Sequence, residues 1–382
     1  MKHIPVISFI ALLWAPFSLL AQDVVKIGVP AIQTGPMATY GANFNNGVTV
    51  AVNHLNEAGG ILVNGKRVKV EAVFCDTQAD SAKAAACGRR LASQNRVPAM
   101  VMATSIETFP ILGFNATSMP PFLVISSSAS NKLAEAKNPL VARYWFNTYS
   151  FMPGLTERLM TAFKAEGKKP QKIAIMQSED EFGKAWTDTF SAGWKKAGGE
   201  IGAISTWTLG TTDFYPQLSA LLRSQPDIVG VPGTCSTIAP IIKQGRELGF
   251  KGDYIVDLAC DHAELAKFAN PDSFKGSYFL GSNWNLDSSA IKAFRERYAK
   301  VTKIDPTVIS ADGYGQFMWV ARSMEKAGTI TDAKAIRAAL ADTVSADWNI
   351  LGISNVQATG ETTAMVFPRK LGSDGKIINL LK

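Results

Sequence analysis

The sequence predicts an α/β protein of two lobes, each a doubly wound parallel sheet, joined by a hinge with several crossovers. Short β-branched runs alternate with longer amphipathic stretches, which is typical of a parallel sheet with helices on both faces. The pattern restarts midway along the 382-residue chain. Helical patterns near its end are too many for the second unit alone. We therefore expect the chain to return to the first lobe before it ends.

The first lobe is predicted from four strand-then-helix units. The strands are the apolar runs 24–30, 67–75, 98–103 and 121–125. The first helix has apolar residues at helical spacing from Phe44 to Leu55 and should end at Gly59-Gly60, because glycine readily adopts the left-handed conformation that follows a helix.

The second lobe is predicted from a similar series further along the chain. Its strands are expected at 172–176, 201–208, 227–231 and 254–257. Three late helices, expected at 291–301, 311–326 and 331–340, are assigned to the return to the first lobe. We place the return crossover near 278–282. The expected division is residues 22–147 for lobe 1, 148–280 for lobe 2, 281–352 for the return to lobe 1, and 353–382 for a final segment of lobe 2 and the hinge.

Residues 1–21 have the pattern of an export signal. Lys2 precedes an apolar run from Ile4 to Leu20, and the small residue Ala21 precedes polar residues. A membrane anchor is the alternative, but Pro16 interrupts the run and it is shorter than the roughly 20 residues that a spanning helix needs. We expect cleavage after Ala21 and a periplasmic protein, since no later stretch is apolar enough to span a bilayer.

Composition excludes several classes of function. With 47% hydrophobic and 19% charged residues the chain is not a disordered protein, and a formal charge of +7 is mild for its length. Basic residues do not form long runs interleaved with aromatics, so no nucleic-acid partner is predicted. The sequence also shows no phosphate loop with its lysine and no paired histidines at metal spacing, so we predict neither cofactor nor metal.

The four cysteines are expected to form disulfides, because export places them in an oxidising compartment. Three pairings are possible. We favour Cys75 with Cys87 and Cys235 with Cys260, since each pair lies within one local unit of the chain. The alternatives are free buried thiols and a zinc site of four thiolates, although no C-x-x-C spacing is present.

Polar residues follow the strands of the first lobe, where ligands bind in open α/β sheets. Tyr40 comes after the Gly-Pro turn that follows the first strand, Thr104 and Ser105 follow the third, and a serine-rich segment, 126–131, follows the fourth. Hydroxyls and helix N-terminal amides can together neutralise a carboxylate without an arginine. The alternative is that these residues are ordinary helix caps.

Two residues of the second lobe occupy corresponding positions. Phe182 precedes a predicted helix and can clamp an apolar ligand against Tyr40 from the opposite side. Asp257 follows a strand, with Asp261 nearby, and can pair with a ligand ammonium. A core position for Phe182 and a solvated loop for either acid are the alternatives.

Five stretches of the sequence are similar to a known family. They are IGVPAIQTGPMATYGANFNNGVTVAVNHLNEAGGI, CDTQADSAKAA, FLVISSSASN, KIAIMQSEDEFG and IIKQGRELGF. Together they resemble the periplasmic leucine/isoleucine/valine-type binding proteins, the type I solute receptors of ABC importers. The resemblance covers nearly the whole chain after residue 21 and implies a hinged two-lobe fold that closes on a small solute.

The resemblance also implies roles for individual residues. Ser105 and Ser130 fall where the family holds the ligand carboxylate, Ala129 where a carbonyl receives the ammonium, and Tyr40 and Phe182 at the aromatic walls. The chain departs from the family in lobe 2. Leu258 stands where the amino-acid binders carry a glutamate, next to Asp257, and a family aromatic falls near 234–235. The predicted ligand contacts are Tyr40, Thr104, Ser105, Ser128, Ala129, Ser130, Phe182 and Asp257.

These observations favour a receptor rather than an enzyme. Beyond residue 21 the sequence has only His54 and His262 as imidazole bases, and no G-x-S-x-G element. We expect a monomeric solute receptor that delivers an amino acid or aromatic acid to an ABC permease and its ATPase. The alternative is a periplasmic sensor of an amide- or urea-type ligand that signals to a partner without transport.

Overall fold

A computed structural model describes residues 23–168 and 172–380 of the chain. The expected signal segment, residues 1–21, lies outside the described residues. Within them, no helix has both the length and the apolar character needed to cross a membrane.

The first lobe is built on a six-stranded sheet in the order β2-β3-β1-β4-β5-β6. All neighbours are parallel except β2 and β3. The central β1 is buried on both faces from Ile27 onward, which explains its continuous apolar run. Its strands are β1 (Val24–Ala31), β2 (Ile61–Val63), β3 (Lys66–Asp76), β4 (Ala99–Met102), β5 (Leu123–Ser126) and β6 (Val141–Arg143), and its helices are α1 (Ala38–Glu57), α2 (Ser81–Ser93), α3 (Ser105–Leu112) and α4 (Lys132–Glu135).

The second lobe is built on a seven-stranded sheet in the order β13-β12-β11-β10-β9-β7-β8. The strands from β7 to β11 are parallel, whereas β12 and β13 add an antiparallel edge that the sequence pattern did not predict. The strands are β7 (Lys172–Ser178), β8 (Glu200–Trp207), β9 (Ile228–Val231), β10 (Asp253–Val256), β11 (Tyr278–Ser282), β12 (Val366–Leu371) and β13 (Ile377–Asn379), and the helices are α5 (Thr148–Ala165), α6 (Glu181–Lys196), α7 (Tyr215–Leu222), α8 (Cys235–Glu247) and α9 (His262–Leu265).

Three late helices return to the first lobe: α10 (Ser289–Thr302), α11 (Val308–Ala327) and α12 (Ala333–Ala339). The α11 helix lies directly against α1, and glycines make this close approach possible. A Cβ atom at Gly47 would lie 2.0 Å from the carbonyl oxygen of Ser310, and one at Gly313 would lie 2.2 Å from that of Phe44. Any larger side chain at either position would force the helices apart.

The predicted two-lobed α/β class is confirmed. Within the described residues the chain passes between the sheets three times, between β6 and α5, after β11 and before β12. The segment 278–282, where we expected the return, first forms β11 in the second sheet. The domain boundaries given above stay predictions.

Both favoured disulfides are present. Cys75 in β3 joins Cys87 in α2 across 12 positions of sequence, and Cys235 at the start of α8 joins Cys260 across 25 positions. The zinc and free-thiol alternatives are therefore wrong. Each bridge ties a strand or a strand end to the neighbouring helix of its own lobe.

Replacing both cysteines of either pair by serine is expected to lower the free energy of unfolding by about 3 kcal/mol, because the closed loop restricts the unfolded chain. The longer loop closed by Cys235 and Cys260 should give the slightly larger loss. Urea denaturation of the two double variants beside the wild type measures this. Denaturation midpoints equal to that of the wild type would contradict the stabilising role.

Candidate functional site

A cavity lies between the lobes at the carboxyl ends of the strands. Its walls are largely apolar and come from both lobes. Lobe 1 contributes Met37, Tyr40 and Trp145, and lobe 2 contributes Phe182, Trp207 and Leu209. The aromatic rings suit the apolar body of a small molecule.

The lobe 1 end of the cavity is formed by the start of α3. Thr104 caps this helix, since its hydroxyl accepts from the backbone N–H of Ile106 at 3.0 Å. Ser105, the first residue of the helix, lines the cavity and its hydroxyl lies 2.8 Å from that of Ser128. The described residues that line the cavity include no lysine, arginine or histidine. An anion there would be stabilised by hydroxyls and by the positive end of α3.

A buried acid lies behind this helix start. Glu107 accepts hydrogen bonds from the hydroxyls of Thr104 and Thr77, the latter at 3.1 Å. Burial raises the pKa of Glu107, and these donors oppose the rise. Two threonine hydroxyls therefore hold the carboxyl in place beneath the cavity wall.

A second buried network holds the neighbouring strand ends. Ser127, which lines the cavity, donates to Asp312 and accepts from Gln316 at 2.6 Å. Gln316 also accepts from the backbone N–H of Met102 at 3.1 Å. Burial raises the pKa of Asp312 well above its usual value. The network fixes the ends of β4 and β5 against α11.

Sequence reasoning missed Asp312 and Gln316, although a signal was present. They are two polar residues four positions apart in α11, where the residues from Val308 to Ala321 are all buried. Polar groups at i and i+4 on a fully buried helix need partners in the core.

The lobe 2 end of the cavity carries a buried carboxylate. Asp257 follows β10, is 4% exposed, and accepts from the backbone N–H of Ala259 at 3.0 Å. Burial raises its pKa to about 6, and the groups that oppose this are neutral donors rather than a cation. Asp180, the other acid in the lining, is already used as the cap of α6, because it accepts from the N–H of Gly183 at 2.8 Å.

The aromatic residue predicted in lobe 1 is anchored. Tyr40 lies in the first turn of α1 and its hydroxyl donates to the carbonyl of Ala103 at 3.2 Å. Burial raises the pKa of Tyr40 well above its usual value, so the phenol is neutral. Its ring and that of Phe182 belong to opposite lobes and line the same cavity.

Six of the eight predicted ligand contacts line the cavity, and two do not. The six are Tyr40, Thr104, Ser105, Ala129, Phe182 and Asp257. Ser128 is buried behind them and bonds Ser105, whereas Ser130 donates its hydroxyl proton to Glu181 of lobe 2 at 2.7 Å. Contact of any of the eight with a solute stays a prediction.

Two rings of the cavity wall were not predicted from the sequence, those of Trp145 and Trp207. Trp145 follows β6, and Trp207 ends β8. Thr234 lies in the cavity wall at the position where the resemblance implied an aromatic residue. The ring of Trp207 lies close to this position, because a Cβ atom added to the neighbouring Gly233 would be 3.9 Å from that ring.

The two histidines among the described residues, His54 and His262, do not line this cavity. His262 lies beside Asp261, with 2.8 Å between Nδ1 and Oδ1, and His54 bonds the hydroxyl of Tyr314 at 2.7 Å. In the described part of the chain, no group of three or more His, Cys, Asp or Glu side chains is arranged to hold a metal ion.

The fold and the cavity define a two-lobed α/β binding protein. Residues 24–366 match the periplasmic binding protein family, and the chain belongs to this family. It is 22% identical over 366 residues to a Leu/Ile/Val-binding protein homolog of Brucella melitensis, covering 95% of both chains.

Solved structures share the fold. The branched-chain amino acid transporter substrate-binding protein LivJ of Streptococcus pneumoniae, in complex with isoleucine, is 23% identical with a TM-score of 0.77, covering 94% of this chain and 99% of that one. A solute-binding protein from R. palustris, in complex with benzoate, is 16% identical with a TM-score of 0.78, covering 94% and 96%. Two chemically different solutes therefore occur in proteins with this architecture.

Proposed function

We propose that this protein is an exported receptor of an ABC importer that captures a small carboxylate-bearing solute between its lobes in the periplasm and delivers it to a permease of the inner membrane. The observation that carries the proposal is the interlobe cavity. It joins a helix start with hydroxyls, an aromatic wall and a buried carboxylate, with no basic side chain among its described lining residues.

The solute docks first on lobe 1. Its carboxylate lies at the start of α3, where Ser105 donates a hydrogen bond, and its apolar body lies on the ring of Tyr40. Lobe 2 then adds Phe182 and Asp257. Contacts made only when the lobes are closed shift the equilibrium toward the closed form, which docks on the permease.

Two solute classes fit this cavity, and the relatives support both. The Brucella relative is named for leucine, isoleucine and valine, and the R. palustris protein holds benzoate. An amino acid would place its ammonium at Asp257, whereas an aromatic acid would use the ring wall and the hydroxyls alone. A thermal-shift screen of branched-chain amino acids, benzoates, amides and urea, followed by calorimetry, tests the function. No stabilisation by any of these solutes would refute it.

Replacing Ser105 by alanine is expected to weaken the binding of carboxylate solutes by about 10-fold to 100-fold, the value of one charge-assisted hydrogen bond. The melting temperature of the protein alone should change little. Ser128→Ala is the matched control, because it removes the same Ser105–Ser128 bond but leaves the hydroxyl in the cavity. Calorimetry on both variants decides, and equal affinity in wild type and Ser105→Ala would reject the carboxylate position.

A further inference from the structure

Three residues form a polar contact between the lobes at the edge of the cavity. Ser130 follows β5 and Lys132 begins α4 in lobe 1, whereas Glu181 begins α6 in lobe 2. The Ser130 hydroxyl donates to Oε1 of Glu181 at 2.7 Å, and the Lys132 ammonium forms a salt bridge with Oε2. We call these three residues the interlobe clasp.

The lobe 1 side of the clasp is held firmly. The carbonyl of Ser130 accepts from Nη2 of the buried Arg143 at 2.9 Å, and its hydroxyl accepts from the backbone N–H of Lys132 at 3.2 Å. Ser130 is 1% exposed. Its single hydroxyl proton therefore has a fixed direction, toward Glu181.

This geometry separates Ser130 from the solute. A serine hydroxyl has one proton to donate, so while it donates to Glu181 it cannot also donate to a solute carboxylate. Neither Ser130 nor Glu181 lines the cavity. The next residue after Glu181, however, is Phe182, which does line it, so the arrangement of the lobes that places this ring at the cavity also places Glu181 at Ser130.

We propose that Glu181 is a positioning residue that stabilises the closed arrangement of the lobes through Ser130 and Lys132, and so sets the affinity for every solute by a common factor. The inference rests on the proposed function. The apparent dissociation constant of a solute that needs the closed form varies inversely with the closed fraction, whatever the solute. The serine bond carries most of the effect, because Lys132 is 62% exposed and exposed ion pairs contribute little.

The first test compares Glu181→Ala with Glu179→Ala by calorimetry and stopped-flow, using isoleucine and benzoate as probes. Glu179 is the matched control, because it accepts from Thr208 of the same lobe at 2.8 Å and does not cross to lobe 1. Glu181→Ala should weaken whichever probes bind by the same factor, about tenfold, mainly through faster dissociation, and Glu179→Ala should stay within about twofold of wild type. Unchanged affinity in Glu181→Ala, or unequal losses for two probes that both bind, would overturn the proposal.

The second test is a double-mutant cycle. Ser130→Ala should weaken binding by no more than Glu181→Ala does. The double variant should bind no worse than Glu181→Ala alone, because both changes remove the same hydrogen bond. Additive losses would mean that Ser130 acts on the solute and would overturn the clasp.

Failure of the proposed function is recognised separately. If the wild type binds neither probe, small-angle scattering of the protein alone compares wild type with Glu181→Lys, in which the clasp becomes repulsive. A larger radius of gyration in Glu181→Lys supports the clasp, and identical values would overturn it.

Discussion

Replacing Asp257 by asparagine is expected to weaken the binding of branched-chain amino acids by at least about 100-fold and to leave benzoate within about threefold. An ammonium enclosed near Asp257 depends on this buried carboxylate, and removing one partner of a buried ion pair costs about 3–5 kcal/mol. Benzoate has no cation to lose. Calorimetry with isoleucine and benzoate measures both effects.

Asp180→Asn is the matched control for this change. Asp180 is the other acid of the cavity lining, but it caps α6, and asparagine caps helices equally well. Its affinities should stay close to those of the wild type. If Asp257→Asn binds isoleucine as tightly as the wild type does, the assignment of Asp257 to an ammonium is wrong and an aromatic acid becomes the favoured solute.

The pH dependence gives the same prediction a second readout. Burial raises the pKa of Asp257 from 3.8 to about 6. Between roughly pH 4 and 6 the carboxyl of Asp257 therefore holds a proton in the folded protein but not in the unfolded chain. Its contribution to the free energy of unfolding grows as the pH falls through this range and is lost as the pH rises through 6. Binding of an ammonium needs the charged form, so its affinity should fall as the pH drops below about 6.

Comparison with Asp257→Asn separates the pH dependence caused by Asp257 from that caused by other acids. Burial also raises the pKa of Glu264, to about 7, so wild-type titrations combine at least two groups. Subtracting the pH profile of isoleucine affinity in Asp257→Asn from that of the wild type removes the contribution of Glu264, which both proteins share. A difference in isoleucine affinity that is independent of pH from 4 to 8 would contradict the role of the Asp257 charge.

The sequence predicted those elements whose residues carry a clear period. The apolar run 24–30 corresponds to β1, and the helical spacing between Phe44 and Leu55 lies within α1, which ends at Glu57 before Gly59-Gly60. The short strands β2 and β6 have three residues each, too few to show alternation. In β12 the residues Pro368-Arg369 interrupt the apolar pattern, and the strand exists because β11 and β13 pair with it.

The sequence predicted where in the fold the site lies, but only some of the residues that form it. Strand-end reasoning found Ser105 and Asp257 because the topology of parallel sheets brings these ends together. It could not tell which way a hydroxyl points, and so it assigned Ser130 to the solute although the hydroxyl faces Glu181. It also missed Trp145, since an aromatic that follows a buried strand has the same local pattern in a core and in a cavity wall.

Replacing Arg143 by methionine is expected to lower the free energy of unfolding by about 3–5 kcal/mol, because it leaves a carboxylate without its buried partner. Arg143 is fully buried at the end of β6, and its Nε and Nη2 donate to the two oxygens of Glu361 at 3.0 and 2.9 Å. Asn147 donates to the same carboxylate at 2.9 Å. The ion pair thus ties the first crossover to the segment that precedes β12.

The double variant Arg143→Met/Glu361→Met separates stability from closure. Two apolar side chains of similar volume should recover most of the lost stability in urea denaturation, since no buried charge is left unpaired. Solute affinity should recover less, because the carbonyl of Ser130 still lacks the hydrogen bond that Arg143 donated to it. Without that bond, Ser130 is no longer held in the orientation in which its hydroxyl donates to Glu181. Full recovery of both would mean that the ion pair of Arg143 and Glu361 contributes to folding alone. A loss of affinity at restored stability would instead connect this buried arginine to the closing of the lobes.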